Sequence, residues 1–415
     1  MNQGGTPVDA PVDPTLGVTA AGGFVAAGVA CGLKASGGPD LALVAGRPGT
    51  LAAGVFTTNV VVAAPVAWSR VLLAASADAR VVVLNSGNAN ACTGPQGEAV
   101  VRATAARAAK ALGCAAEQVL VCSTGVIGVP LDAGKVADGI AKAAADLDRA
   151  GGQAAARAIL TTDTAVKQAG VRLPAGVTVG AMAKGAAMLA PALAPPHATM
   201  LALLTTDAVA DAGQLRAALA GAAERTFGRI TVDGAQSTND TVLLLASGAS
   251  GVRPDPADLA AAVEAVCDHL AGQMLADAEG ATKVVSVHVG GAGGEAAALA
   301  VARRVADSPL LKAALYGGDP NWGRVLQAAG AAGVPFDPAA VRLEAGPAGA
   351  FGSSTRVLLV DGGVPAGADP AAAAAAFAGP RVELRLDLGG DGPWACVRGV
   401  DLTPEYVRLN AEYTT

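Results

Sequence analysis

The stretch Lys184-Gly-Ala-Ala-Met-Leu-Ala-Pro-Ala-Leu-Ala-Pro-Pro-His-Ala-Thr-Met-Leu-Ala-Leu-Leu-Thr-Thr-Asp207 decides how the rest of the chain is read. A lysine and a small-residue turn lead into a Pro-rich bend, then Ala198-Thr199-Met200, then an apolar run that predicts a buried strand. Thr199 stands where a strained turn enters that strand, a position suited to attack on the peptide bond just before it. Local evidence alone favours a plainer reading, a strand threonine bonded to backbone, because threonine is common in strands. A nucleophile needs partners elsewhere.

Two loops outside this stretch have the right composition. Val81 to Leu84 reads as a core strand and runs into Asn85-Ser-Gly-Asn-Ala-Asn-Ala-Cys-Thr-Gly94. Asparagine and glycine at this density suit left-handed turns and dense backbone hydrogen bonding. An elaborate turn and a site-lining loop are equal readings of it. Gln118 to Cys122 is a second short strand, ending in Ser123-Thr-Gly-Val-Ile-Gly128. Such a loop leaves backbone N–H groups able to converge on a developing oxyanion. Thr161-Thr-Asp-Thr164 is a third small polar cluster.

Composition bounds the classes. At 415 residues the chain predicts two domains or two intertwined halves. With 52% hydrophobic residues and 3% aromatic, its core must be built from Ala, Val and Leu in close backbone packing. The net charge of −6, with no basic cluster, argues against nucleic acid and anionic membrane as partners. Six cysteines without a C-x-x-C spacing predict reduced thiols. Three histidines, His197, His269 and His288, show no metal-ligand spacing, so no metal site is expected. The uncharged segment Leu16–Leu33 is too rich in Gly and Ala for a membrane span, and a cytoplasmic location is expected.

In order along the chain, the patterns predict helices over Glu98–Leu112, Asp132–Gly151, Ala212–Arg225 and Pro256–Asp277. Strands are expected over Val177–Met182, Thr241–Ala246, Val284–Val289, Thr355–Val360, Arg381–Asp387 and Ala395–Val400. Val60 to Val66 reads as a further apolar run. Ala154 to Thr161 reads as helix or strand edge. Gly291-Ala-Gly-Gly-Glu-Ala296 has the look of a dinucleotide fingerprint, but in a chain with 54 glycines a tight packing turn is the preferred reading.

Taken together, the chain resembles the ornithine acetyltransferase family (ArgJ), bifunctional glutamate N-acetyltransferases and amino-acid acetyltransferases of arginine biosynthesis. The resemblance rests on eight stretches in order: the loops at Asn85–Gly94, Ser123–Gly128 and Thr161–Thr164, Ala198-Thr-Met-Leu201 with Thr205-Thr-Asp207, Ser237-Thr-Asn-Asp-Thr241, Glu279-Gly-Ala-Thr-Lys283, Asp319-Pro-Asn-Trp-Gly-Arg324, and the Asn410–Thr415 tail. It covers essentially the whole chain.

The resemblance implies an α/β (α+β) fold, an N-terminal-nucleophile-like αββα layered sandwich with a smaller C-terminal α/β domain. The expected domains are 1–283 and 284–415. It implies self-cleavage between Ala198 and Thr199 into an α chain (1–198) and a β chain (199–415), assembled as a heterotetramer. Thr199 would be the nucleophile, Thr124 and Gly125 the oxyanion hole, and Thr161, Lys184, Glu279, Asn410 and Thr415 substrate contacts. The implied partners are N2-acetylornithine and glutamate, with acetyl-CoA as an optional co-substrate and no cofactor.

The chemistry is consistent with this. A freed Thr199 α-amine, with a reference pKa of about 7.7–8.0, can act as general base without histidine. Threonine's β-branch restricts the direction of attack. Lys184 suits an α-carboxylate, and Glu279 suits either ornithine's ammonium or proton transfer. Without the resemblance, a solvated lysine and a helix-end carboxylate are the better readings of those two.

The chain departs from the family pattern in two places. Ala194-Pro-Pro-His197 is inserted between Ala190-Pro-Ala-Leu193 and Ala198, on the segment to be cut, and prolines there constrain the turn. Cleavage is still expected, because Ala198 to Leu201 is intact. Ala235 and Gln236 replace the usual Asp and Thr of the Asp233 loop. Competing readings are a threonine-nucleophile amidohydrolase or aminopeptidase of similar fold, a specialised-metabolism paralogue, and an uncleaved non-catalytic homologue.

Overall fold

In the computed structural model, which describes residues 10–190, 200–349 and 355–412, the apolar runs become buried strands. The chain divides into two compact units. One takes the chain through residue 228 together with 235–274, and the other takes 229–234 and the chain from 275 onward.

The first unit contains β1 (Phe24–Val29), β2 (Leu41–Gly46), β3 (Leu51–Phe56), β4 (Val81–Asn85), β5 (Val119–Ser123), β6 (Lys167–Arg172), β7 (Thr178–Lys184) and β8 (Leu201–Thr206). β9 (Ile230–Thr231) lies in the second unit, and β10 (Thr241–Ala246) returns to the first. Two sheets result, ordered β1-β2-β4-β5 and β3-β10-β8-β7-β6. Every residue of β4, β5, β7, β8 and β10 is buried, as expected for continuous apolar strands covered on both faces.

The helices of this unit are α1 (Ala64–Ala75), α2 (Gly94–Leu112), α3 (Ala133–Ala145), α4 (Gly152–Ala158), α5 (Ala212–Arg225) and α6 (Pro256–Ala276). One core joins the sheets face to face, with Phe24, Val44, Leu84 and Leu120 against Met182, Leu203 and Leu243. On the other face of the first sheet, Leu43, Val83 and Val121 pack with Val101 and Ala105 of α2 and Ile140 of α3. α5 packs on β3 and β10 of the second sheet. Helix, sheet, sheet, helix is the αββα sandwich that the resemblance implied. Alanines on the helices let the layers approach closely, which is how a core with so few aromatics fills.

Three local features were not legible in the sequence or differ from it. The apolar run Val60–Val66 leads into a helix: Pro65 occupies the first turn of α1, where its missing N–H costs nothing. Trp68 Nε1 donates to Val119 O at 3.0 Å, and Ser69 Oγ donates to Val121 O at 2.9 Å and accepts from Val121 N–H at 3.0 Å, so α1 covers the edge of β5. The helix expected over Asp132–Gly151 ends at Ala145. Beyond it, Asp148 exchanges both backbone hydrogen bonds with Ala26 of β1, so a tertiary bridge replaces the helical pattern. β6 was not anticipated; it pairs antiparallel with β7.

The second unit contains α7 (Glu295–Ala306), α8 (Pro309–Gly317), α9 (Trp322–Gly330), α10 (Pro370–Ala378), α11 (Pro404–Glu412) and the strands β11 (Val284–Gly290), β12 (Arg342–Pro347), β13 (Val357–Asp361), β14 (Val364–Pro365), β15 (Arg381–Asp387) and β16 (Ala395–Val400). Its sheet runs β14-β13-β12-β15-β11-β16-β9. Burial alternates along β11, β15 and β16, and the inward residues, Val287, Leu384 and Val397 among them, pack with Val301, Leu311 and Phe377 of the helices. The Gly-rich turn 291–294 joins β11 to α7 with φ of +71° at Gly291 and +78° at Gly293. Gly390 N–H donates to Gly291 O at 3.2 Å, so the turn is packed on the following loop as the plainer reading held.

Candidate functional site

Of the residues singled out from sequence, Ala198, Thr199, Thr415 and the insertion Ala194–His197 lie outside the described residues. What is described is the frame on either side of the expected cut. Met200 is held at both ends of its backbone. Its N–H donates to Asp240 Oδ1 at 2.5 Å, and its carbonyl accepts from Thr241 N–H at 3.0 Å. β8 then runs parallel to β10 and antiparallel to β7, with Leu201 opposite both Thr241 and Lys184. The last residue of β7 is thus brought beside the first of β8.

Lys184 is only 4% exposed. Its Nζ donates to Thr124 Oγ1 at 3.5 Å and lies 3.7 Å from Asp163 Oδ2. The Asp163 side chain is fully buried and also accepts from Lys167 Nζ at 2.7 Å, Gly185 N–H at 2.7 Å and Thr161 N–H at 3.1 Å. Burial pushes its carboxyl up, but Lys184, Lys167 and the hydrogen bonds outweigh that and hold it well below the usual carboxylate range. Thr124, Thr161 and Lys184 therefore meet in the first unit around a carboxylate that sequence reasoning had not singled out.

The loop after β5 is shaped by the asparagine loop beneath it. Ser123 Oγ donates to Asn85 Oδ1 at 2.6 Å, Asn85 Nδ2 to Asn88 O at 2.8 Å, and Asn90 Nδ2 to Gly97 O at 3.0 Å. Asn90 and Cys92 take positive φ, as the composition suggested. Asn239, from the Ser237–Thr241 stretch, donates to both Ala89 O and Ser123 O, fastening the two loops together. Gly125 has φ +130°, and a Cβ there would sit 2.4 Å from the carbonyl carbon of Gly87. Only glycine fits where these backbones touch.

One expectation about this loop is refined. Thr124 N–H does not point into open space; it donates to Asn85 O at 3.0 Å and continues the ladder between β4 and β5. The donors left on this pair are the Thr124 hydroxyl and the Gly125 N–H, which meets no acceptor among the described residues.

Asp240 is the second carboxyl that sequence reasoning missed. It is fully buried, and its Oδ2 has no hydrogen-bond partner among the described residues. Burial pushes this acid well above its usual range; the Met200 N–H, nearby Ser237 and Lys184 pull the other way without cancelling it. Its signal in the sequence was adjacency to Asn239 at the start of an apolar strand, which does not reveal burial.

In the second unit, Asn410 Nδ2 donates to Glu279 Oε2 at 2.9 Å and to Tyr406 O at 3.0 Å. The Tyr406 hydroxyl donates to Asp233 Oδ2 at 3.5 Å, and burial with the Asp233 and Glu279 charges pushes the phenol up to about 12. Glu279 and Asn410, far apart in sequence, are thus partners. Gln236, one of the departing residues, is exposed, and its carbonyl accepts from Asn59 Nδ2 at 3.1 Å. Among the described residues no group of three His, Cys, Asp or Glu could hold a metal, and no helix is long and apolar enough to cross a membrane.

Residues 25–415 match the model of the ArgJ family. The chain belongs to that family. The chain is 47% identical over 408 residues to the arginine biosynthesis bifunctional protein ArgJ of Mycolicibacterium paratuberculosis, covering 96% of each chain. It is likewise 47% identical over 401 residues to the Streptomyces coelicolor protein of that name, covering 96% of this chain and all of the other. Among solved structures, ornithine acetyltransferase complexed with ornithine from Mycobacterium tuberculosis matches at 49% identity with a TM-score of 0.43, over 44% of this chain and 99% of that one. Membership makes the chain an acetyltransferase of arginine biosynthesis.

Proposed function

We propose that the chain cuts itself before Thr199 and then moves acetyl from N2-acetylornithine to glutamate through an acetyl-Thr199 intermediate. The observation that carries this reading is family membership from residue 25 to the end of the chain. Before the cut, the Thr199 hydroxyl adds to the Ala198 carbonyl, the C–N bond between Ala198 and Thr199 breaks to free the α-amine as the acyl group shifts to oxygen, and water hydrolyses the resulting ester to release the Ala198 carboxylate and the Thr199 hydroxyl. That amine, near pKa 8, then takes the hydroxyl proton in each acyl transfer. Acetyl passes from acetylornithine to Thr199, ornithine leaves, and the amine of glutamate takes the acetyl.

The Thr124 hydroxyl and Gly125 N–H are the donors for the oxyanion of each tetrahedral intermediate, which preserves the proposed pair while moving one donor from backbone to side chain. Lys184 receives the α-carboxylate common to both amino acids, and the further substrate contacts are Thr161, Glu279, Asn410 and Thr415. The word bifunctional in the relatives' names supports acetyl-CoA as a second donor. No cofactor takes part, and the α and β chains cut from the precursor assemble as a heterotetramer.

The test is intact-mass spectrometry of purified protein before and after acetylornithine is added. Two chains separating between Ala198 and Thr199, with acetyl on the 199–415 chain that glutamate then removes, is the expected result. Thr199→Ala is expected to remain one chain and to transfer no acetyl. Wild-type protein that stays uncut after prolonged incubation would overturn the reading, and acetylornithine turnover independent of glutamate would replace it with hydrolysis.

A further inference from the structure

Lys184 needs two properties to receive a carboxylate. Its ammonium must stay charged although almost no water reaches it, and it must stay in one place without having its donors consumed. Burial works against the first, because a desolvated ammonium loses its proton more easily. Side-chain freedom works against the second, since a lysine stem has four rotatable bonds.

Asp163 answers both from one position. Its Oδ1 takes the N–H of Gly185, the residue after Lys184, at 2.7 Å, which fixes the backbone from which the lysine departs. Its Oδ2 stands 3.7 Å from the Lys184 ammonium, near enough to stabilise the charge and too far for a short hydrogen bond. The same Oδ2 takes Thr161 N–H at 3.1 Å. Lys167 Nζ, 1% exposed, closes on Oδ1 at 2.7 Å and also donates to Ala165 O at 3.4 Å. The carboxylate is therefore anchored by Lys167 at 2.7 Å and acts on Lys184 from 3.7 Å.

We propose that Asp163 is a positioning residue for substrate binding: with Lys167 pinning one oxygen, it sets the Lys184 ammonium and the Thr161 backbone in the arrangement that receives an amino-acid α-carboxylate. This rests on the functional reading above for what Lys184 binds. A carboxylate that only neutralised Lys167 would not also need to hold the two backbone positions that flank the site.

Other charges act on this group. Lys34, half-buried with its Nζ donating to Pro39 O at 2.7 Å, feels both Lys184 and Asp163, and is itself offset by Asp40. Asp240 feels Lys184 from the β10 side. Both residues remain in place when Asp163 or Lys167 is substituted, and the substitutions remove charges of opposite sign, so their expected effects are opposite. Asp163→Asn removes the anion beside Lys184 and lowers the pH at which that ammonium is lost. Lys167→Met removes a competing cation and raises it.

The experiment is calorimetric titration of ornithine into wild type, Asp163→Asn and Lys167→Met from pH 6 to 10, with folding checked by circular dichroism. The expected result is roughly tenfold weaker binding to Asp163→Asn at neutral pH, and an alkaline loss of binding displaced downward by about one pH unit or more. In Lys167→Met the alkaline loss moves upward. Unchanged affinity and unchanged pH dependence in a folded Asp163→Asn overturns the proposal, as does displacement in the same direction for both variants. If Asp163→Asn does not fold, the direction of the Lys167→Met displacement decides alone. Acetyl transfer by the wild type is assayed separately, so failure of the acetyl-Thr199 reading and failure of the Asp163 proposal register in different measurements.

Discussion

Asp240 keeps one oxygen on Met200 N–H and the other buried with no partner among the described residues, a state that favours the protonated acid. The sign of the pH effect follows from the raised folded-state value. The acid binds its proton more tightly folded than unfolded, so its contribution to stability is complete below the ordinary carboxylate value of 3.8 and is lost as pH rises through the folded value. Asp240→Asn keeps an acceptor for Met200 and never ionises. Thermal melts are expected to show the variant gaining on wild type as pH increases from about 4 towards 8; a difference that is flat in pH would contradict the buried-acid account. Asp240→Ala loses the acceptor altogether and is expected to cost about 1–3 kcal/mol at pH 4, and less as pH rises. None of this was legible in the stretch Ser237–Asp240. The sequence shows polar residues ahead of an apolar strand, and it takes the register of β8 on β10 to place that carboxyl on the residue after Thr199.

At the scale of elements, central strands were the most legible parts and helix ends the least. β8 and β10 announce themselves as uninterrupted apolar runs, because a strand covered on both faces has no need to alternate. Leu203 in β8 is fully buried between the sheets. Leu203→Ala is expected to lower stability by about 2–5 kcal/mol in urea unfolding. The N-cap of α5 offers the contrast. Asp211 accepts from Gln214 N–H at 2.9 Å, and Gln214 returns a bond to Asp211 N–H at 3.0 Å, both on the surface. Asp211→Ala is expected to cost about 1 kcal/mol. If the two substitutions cost the same, the layered core is not where this unit's stability lies. α3 shows why the rest was hidden. Residues Asp146 to Ala150 carry no proline or glycine to stop a helix; the bridge between Asp148 and Ala26 does, and that partner lies more than a hundred residues away.

For the whole molecule, the cysteine count predicted reduced thiols, and all six are free. Their surroundings differ in a way only the fold sets. Cys122 and Cys267 are completely enclosed; burial pushes the Cys122 thiol up to about 12 and Cys267 well above the usual thiol value. Half-buried Cys31 is also pushed up to about 12, by desolvation and then by Asp40. Cys92 alone is exposed. Brief labelling of native protein with an alkylating reagent at pH 7.5, read by peptide mass spectrometry, is expected to modify Cys92 first and to leave Cys122 and Cys267 unmodified until denaturant is added. Early modification of either buried thiol would mean that the sandwich opens under native conditions.

By itself the sequence determined the family, the layered α/β class, the core strands and most of the residues around Lys184, because these are written in local composition and in short stretches kept in order. It also marked Thr199, though through kinship rather than local chemistry. The tertiary structure decided what those residues touch. It turned the Thr124 N–H into the ladder and left its hydroxyl as donor, paired Glu279 with Asn410, and seated Asp163 and Asp240 in the interior. The physical reason is the same in each case. A hydrogen bond or a buried charge depends on a partner supplied by a distant segment, and sequence spacing carries no record of which segments the packed sheets bring together.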